Sequence, residues 1–251
     1  MRSALISSFV VIAGRMRSAL NSSFVVIAAR MRSALLAEWT KMRTTPGAAW
    51  LLVVTVAGIV GLGAAVCAAA DHPHDATRLA LSGVYLGQAS VAVLGVLTLS
   101  GEYSTGLIRV TLAAISGRPI VLAAKAVVLA VVVAAAAAPA LLVSVLAAKR
   151  IGLALADGPV LRAAGGAVGY LVLIALLSLG VAAVVRDSAA AIGTVLGLLY
   201  LPPILATMVT DPHLNRLLER IAPITAGPGV LVAWSGGALL AGTLLLRSRD
   251  T

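Results

Sequence analysis

The sequence predicts an all-α fold: a polytopic membrane helix bundle of about six transmembrane helices, preceded by an N-terminal interfacial helix. Three observations predict it. Of 251 residues, 61% are hydrophobic and 11% charged, with a mean hydropathy of +1.07, whereas a globular domain carries about 25% charged residues. The charges cluster between long apolar runs instead of alternating with them, so the apolar surface must face lipid and a soluble enzyme is excluded. Ala, Val, Leu and Gly supply most of the apolar content, aromatics only 4%, and small residues let membrane helices pack closely.

A spanning helix needs about 20 apolar residues to cross about 30 Å. Six stretches qualify: Gly47–Ala70, Leu79–Ser100, Ile120–Ala148, Ala163–Val185, Ser188–Val209 and Gly227–Leu246. They define a transmembrane domain over 47–246, followed by a short tail, 247–251. Pro139 predicts a kink in the third span, and Pro202–Pro203 a bend or break in the fifth, because proline removes a helix hydrogen bond. The pairs Gly83/Gly87, Gly165/Gly169 and Gly193/Gly197 each spell G-x-x-x-G and are expected to pack helices within the subunit. The lone cysteine, Cys67, has no intrachain partner and reads as a small buried hydrophobe. Tyr85, Gln88, Ser90 and Thr98 make the second span the most polar, which fits a substrate path or interhelical hydrogen bonding equally. Lys125 is expected to reach the membrane interface with its long stem. With no ionisable group near a span centre, an ion-coupled carrier is disfavoured.

Basic residues set the orientation. With both termini cytoplasmic, the inner side holds thirteen basic and four acidic residues, and the outer side six and five. The net charge of +10 therefore reads as topology and not as a nucleic-acid surface.

Residues 1–30 form a duplicated extension. Met1–Arg15 (MRSALISSFVVIAGR) recurs as Met16–Arg30 (MRSALNSSFVVIAAR). Each apolar stretch is about 18 Å long as helix, too short to span, so the extension is expected to be dispensable. A signal peptide is the rival reading, disfavoured by the short apolar core and the arginines that follow it. Residues 31–46 read as the interfacial amphipathic helix, with Met31, Leu35, Trp39 and Met42 on one face and Lys41 opposite. Arg43, at the edge of that face, can reach lipid phosphate. An equally open reading is a plain lead-in to the first span.

The cytoplasmic loop 101–118 is the most informative segment. Gly101 and Gly106 bracket a polar bend carrying Glu102 at an exposed position, and Ile108, Leu112 and Ile115 then recur at helical spacing. Together, Ala37-Glu38-Trp39-Thr40-Lys41-Met42-Arg43-Thr44, the run Gly101-Glu102-Tyr103-Ser104-Thr105-Gly106 with Ile108-Arg109 and Thr111-Leu112, and Ala124-Lys125 resemble bacterial type-2 ATP-binding-cassette (ABC) exporter permeases over about residues 34–251. The resemblance implies a multi-pass permease of the bacterial inner membrane that works with a separate ABC ATPase subunit and a second permease, in a homodimer or heterodimer. It implies that Glu102, Tyr103, Gly106 and Arg109 contact the ATPase, and that Glu38, Trp39, Lys41 and Arg43 belong to the interfacial helix.

The missing chemistry agrees. There is no G-x-x-x-x-G-K-[ST], H-E-x-x-H or G-x-S-x-G, so ATP hydrolysis would fall to a partner and the chain itself is not expected to be an enzyme. No cofactor is implied. Asp71-His72-Pro73-His74-Asp75 has ligand-type side chains but no distant partner to complete a shell, and a proline-stiffened turn is the preferred reading over a metal site. The alternative to a permease is a non-transporting membrane scaffold or assembly protein.

The charge split yields a direct expectation. In a Cys67→Ala background, cysteine at Asp157 should react with an impermeant thiol reagent in intact cells and cysteine at Ser104 should not. The reverse pattern would invert the topology.

Overall fold

The computed structural model describes residues 28–69, 76–104, 118–151, 153, 155–208 and 227–248. They form helix α1 (28–44), then α2 (Pro46–Ala68), α3 (Ala76–Ala80), α4 (Val84–Ser104), α5 (Arg118–Arg150), α6 (Asp157–Val185), α7 (Ser188–Met208) and α8 (Pro228–Ser248). No strand occurs among the described residues. Six segments are long and apolar enough to cross a membrane, α3 and α4 together making the second. The chain is a multi-pass membrane helix bundle.

Local chemistry sets the junctions. Thr45 closes α1, its N–H and hydroxyl both donating to the Lys41 carbonyl at 3.0 and 2.7 Å. Pro46 then opens α2, where its missing N–H is no loss and its fixed φ suits a first helical turn. Between α6 and α7 only two residues turn the chain. Arg186 adopts φ +61°, an uncommon left-handed conformation for a residue with a Cβ. Asp187 follows and accepts the Ala190 N–H at 2.7 Å, satisfying an orphan donor at the start of α7.

α6 is the hub: it packs against α8, α4, α5 and α7, while α2 packs on α4 and α5. About half of the most apolar stretch of the second and fourth spans is buried, 56% and 50%, against 17% for the fifth and sixth. The outer spans therefore give most of their surface to lipid, and Leu201, Ile204, Leu205, Val232, Leu240 and Leu244 point outward.

Glycines set the closest approaches. A Cβ at Gly83 would overlap the carbonyl oxygen of Ile59, and one at Gly87 would lie 2.7 Å from the Ile59 side chain. A Cβ at Gly95 would lie 2.6 Å from the Ala175 carbonyl oxygen, and one at Gly180 would lie 2.7 Å from Ala238. Expectation and structure part at the other two G-x-x-x-G pairs. Among the described residues, a Cβ at Gly165, Gly169 or Gly193 would meet nothing within 4 Å, and one at Gly197 would meet only Leu201 of its own helix. The spacing thus marks a packing face only where another backbone crosses it. Pro139 and Pro202–Pro203 stand inside α5 and α7, each helix continuing past them, so the fifth span is not broken there. Cys67 is buried with Ala80 and Ala148, as expected.

These contacts separate two glycines of equal sequence appearance. Gly83→Ala should destabilise the bundle by at least about 1–3 kcal/mol, through forced backbone separation. Gly193→Ala should be neutral or stabilising by up to about 1 kcal/mol, from helix propensity. Thermal unfolding in detergent would check the contrast.

Candidate functional site

Four charged side chains from three segments meet at the end of the bundle where α1, the last turn of α4 and the first turns of α5 converge. The Lys125 ammonium donates to Glu38 Oε2 at 2.7 Å, to Glu102 Oε1 at 2.8 Å and to the Thr98 carbonyl at 3.4 Å. Lys41 donates to the same Glu102 oxygen at 2.7 Å and to Glu38 Oε1 at 3.4 Å. Two ammoniums and two carboxylates balance in charge. Lys125 has no solvent exposure and Glu38 and Glu102 very little, while the Lys41 side chain is 39% exposed. Lys125 is therefore the centre and Lys41 the rim.

Each member is placed by its helix. On α1, Ala34, Glu38 and Lys41 lie one turn apart and turn inward. On α4, Thr98 and Glu102 are likewise one turn apart. Lys125 stands two turns into α5, beside the buried Val121, Leu122 and Ala124. Moving an ammonium out of water costs several kcal/mol, which only short, charge-assisted bonds offset. Burial pulls the Lys41 ammonium down, but its hydrogen bond to Glu102 and the charges of Glu38 and Glu102 outweigh this and hold its pKa above the ordinary 10.5. A raised lysine pKa stabilises the fold fully below the ordinary value and loses that effect only as pH rises through the folded value. The rim therefore stays ionised at neutral pH.

Several expectations are corrected. Glu102 is not exposed on a bend: Gly101–Ser104 is the last turn of α4, and the carboxylate is buried because two lysines hold it. Lys125 has no solvent exposure and turns its ammonium to Glu38 and Glu102, which supply what water would. α1 is rotated from its apolar stripe, drawing Glu38 and Lys41 in and leaving Trp39 42% exposed; the ion pairs outweigh the burial of one more ring. Arg43 is exposed. Tyr103 is half-buried with the Arg186 guanidinium over its ring, 5.6 Å from the centroid, within cation–π range. Gly106, Arg109, the amphipathic stretch 108–115, the 71–75 motif and the duplicated extension through residue 27 lie outside the described residues. Of the predicted site residues, the structure brings together Glu38, Lys41 and Glu102.

Sequence reasoning missed Lys125 as their common partner. The signal was present: a single lysine within a long apolar run needs an acid at the same depth. Elsewhere the polar groups of the second span bond across helices, Thr55 with Ser90 at 2.8 Å and Tyr170 to Gln88 at 2.5 Å. No protein-family model matches the chain, and comparison with curated proteins returns no significant relative.

The cluster ranks its own members. Lys125→Met should cost about 3–5 kcal/mol, since it leaves buried carboxylates short of a counter-charge, whereas Lys41→Met should cost about 1 kcal/mol or less. Adding Glu38→Gln to Lys125→Met should recover part of the loss. Equal losses for the two lysines in detergent unfolding would refute the ranking.

Proposed function

We propose that the chain is the membrane-spanning permease subunit of an ABC exporter in the bacterial inner membrane, with both termini cytoplasmic. It forms the translocation path together with a second permease subunit and is driven by a separate ATPase. The observation that carries this reading is the position of the charge cluster. Of the residues that the sequence resemblance assigns to ATPase contact, Glu102 and Tyr103 lie in the last turn of α4, and Gly106 and Arg109 fall in the segment 105–117, which leaves α4 two residues after Glu102 and enters α5 seven residues before Lys125. Both ends of that segment are thus rooted in one ionic clamp, and the clamp also holds α1. A displacement of the segment by an ATPase would be delivered to α1, α4 and α5 together. The basic-residue bias toward that end supports the orientation.

Glu102 is a poor first target, because its removal would also unfold the clamp. Arg109→Ala isolates the contact better, and Tyr103→Ala tests the second assigned residue while also removing the ring beneath the Arg186 guanidinium. Coexpressed with a candidate ABC ATPase, each variant should reach the membrane at the normal level. Each should lose about 1–3 kcal/mol of subunit coupling, the range for a partly desolvated polar contact, seen as reduced co-purification and reduced permease-dependent ATP hydrolysis. Unchanged association and hydrolysis in both variants would leave the scaffold reading in its place.

A further inference from the structure

The ion pairs that hold α1 also decide which of its residues face away from the bundle. At about 100° per residue, Ala34, Glu38 and Lys41 turn inward, and the outward surface divides into two strips. One carries Ser33, Ala37, Thr40 and Thr44. The other carries Arg32, Leu36, Trp39 and Arg43, each one turn from the next. We propose that this second strip binds anionic phospholipid, with a headgroup phosphate at each arginine and Leu36 and Trp39 set between them against the acyl region.

Charge carries the argument. The two lysines of the clamp are matched by its two carboxylates, so the clamp adds no net charge to this surface. Arg32 and Arg43 are exposed, and among the described residues neither guanidinium has a hydrogen bond or ion pair. Each keeps its fork of N–H donors open, a geometry that fits phosphate. They stand eleven residues apart, about 16 Å along the helix axis, so each takes its own phosphate. A zwitterionic lipid brings a cation beside its phosphate and an anionic lipid does not, so two open arginines select the anionic one.

The rest of the strip sets the depth. Leu36 is 58% and Trp39 42% exposed, and Trp50, near the start of α2, is 69% exposed. Tryptophan gathers at the membrane–water boundary, where its ring is apolar and its N–H wet. Trp39 and Trp50 flank the Thr45 junction, which puts α1 at the level of the headgroups. The other strip suits water. Its Ser33, Thr40 and Thr44 hydroxyls donate to carbonyls of α1 itself, at 2.9, 2.9 and 3.0 Å. The lipid face is thus not the apolar stripe of the sequence: Met31, Leu35 and Met42 are half-buried, and of that stripe only Trp39 is exposed. The inference rests on α1 and its clamp and holds whether or not the chain partners an ATPase.

Tryptophan quenching in the full chain tests it, with Trp50→Phe and Trp234→Phe so that Trp39 alone reports. The protein is reconstituted in phosphatidylcholine vesicles holding either chain-brominated phosphatidylglycerol or an equal share of chain-brominated phosphatidylcholine. The anionic lipid should reach half-quenching at a mole fraction at least about fivefold lower, the effect of one arginine near a membrane surface. Arg32→Gln or Arg43→Gln should shrink that preference, and the double variant should abolish it. Arg150→Gln with Arg162→Gln, which removes two exposed arginines from the opposite end of the bundle, should leave it intact. All four positions lie on the surface and outside the clamp, so these variants should fold as the parent does. Equal quenching by the two lipids in the parent, or a preference that survives loss of both Arg32 and Arg43, would overturn the proposal. So would the absence of quenching by either lipid, which would show that protein, such as a second copy of the chain, covers the strip.

Discussion

The Lys125 ammonium has no water to turn to, and three acceptors on two other elements surround it: Glu38 on α1, and Glu102 and the Thr98 carbonyl on α4. In a medium of low dielectric a charge of this kind admits few arrangements. It fixes the rotation of α1 about its axis, at the expense of burying Trp39. It keeps Gly101–Ser104 helical, although glycine is a weak helix former. It also brings the ends of α4 and α5 to one depth, which decides where the intervening segment leaves the bundle.

The rest of the bundle is held by close contact and not by charge. Lipid gives helices no hydrophobic reason to associate, so backbone proximity and interhelical hydrogen bonds must do it. α6 meets α4 through Gly95 and α8 through Gly180, and the second span meets the first through Gly83, Gly87 and the Thr55–Ser90 pair. α7 and α8 both lean on α6, and an apolar cleft of about 980 Å³ remains between them, lined by Gly193, Leu201, Val230 and Trp234 among others. The bundle is thus densest around its second and fourth spans.

The spans were legible because an apolar run of membrane length has few other readings, and their ends fell within a few residues of the helices. Where the ends moved, polar or charged residues extended a helix past its apolar run, as at Arg118 and Asp157. The second span hid its break: the turn at 81–83 is closed by short-range backbone bonds, Ser82 N–H to the Leu79 carbonyl at 3.2 Å and Val84 N–H to the Leu81 carbonyl at 3.1 Å, inside a run that reads as continuously apolar. The candidate site was half legible. Glu38, Lys41 and Glu102 stood out as polar residues at the borders of apolar runs. Their convergence did not, because Lys125 joins residues 87 and 23 positions away, and periodicity along one helix says nothing of such pairings. The same limit applies to the glycines, whose spacing is identical in Gly83/Gly87 and Gly193/Gly197 while only the first pair meets a neighbour.

Gly83 and Glu102 lie near the two ends of the second span, roughly 28 Å apart along a helix axis. At one end the backbones of the first two spans touch through Gly83 and Ile59; at the other, α1, one residue from the first span, is clamped by Glu102. A pair of rods pinned at both ends cannot rock or slide against each other. The first two spans are therefore tied near both ends, whereas the fifth and sixth leave an apolar cleft between them.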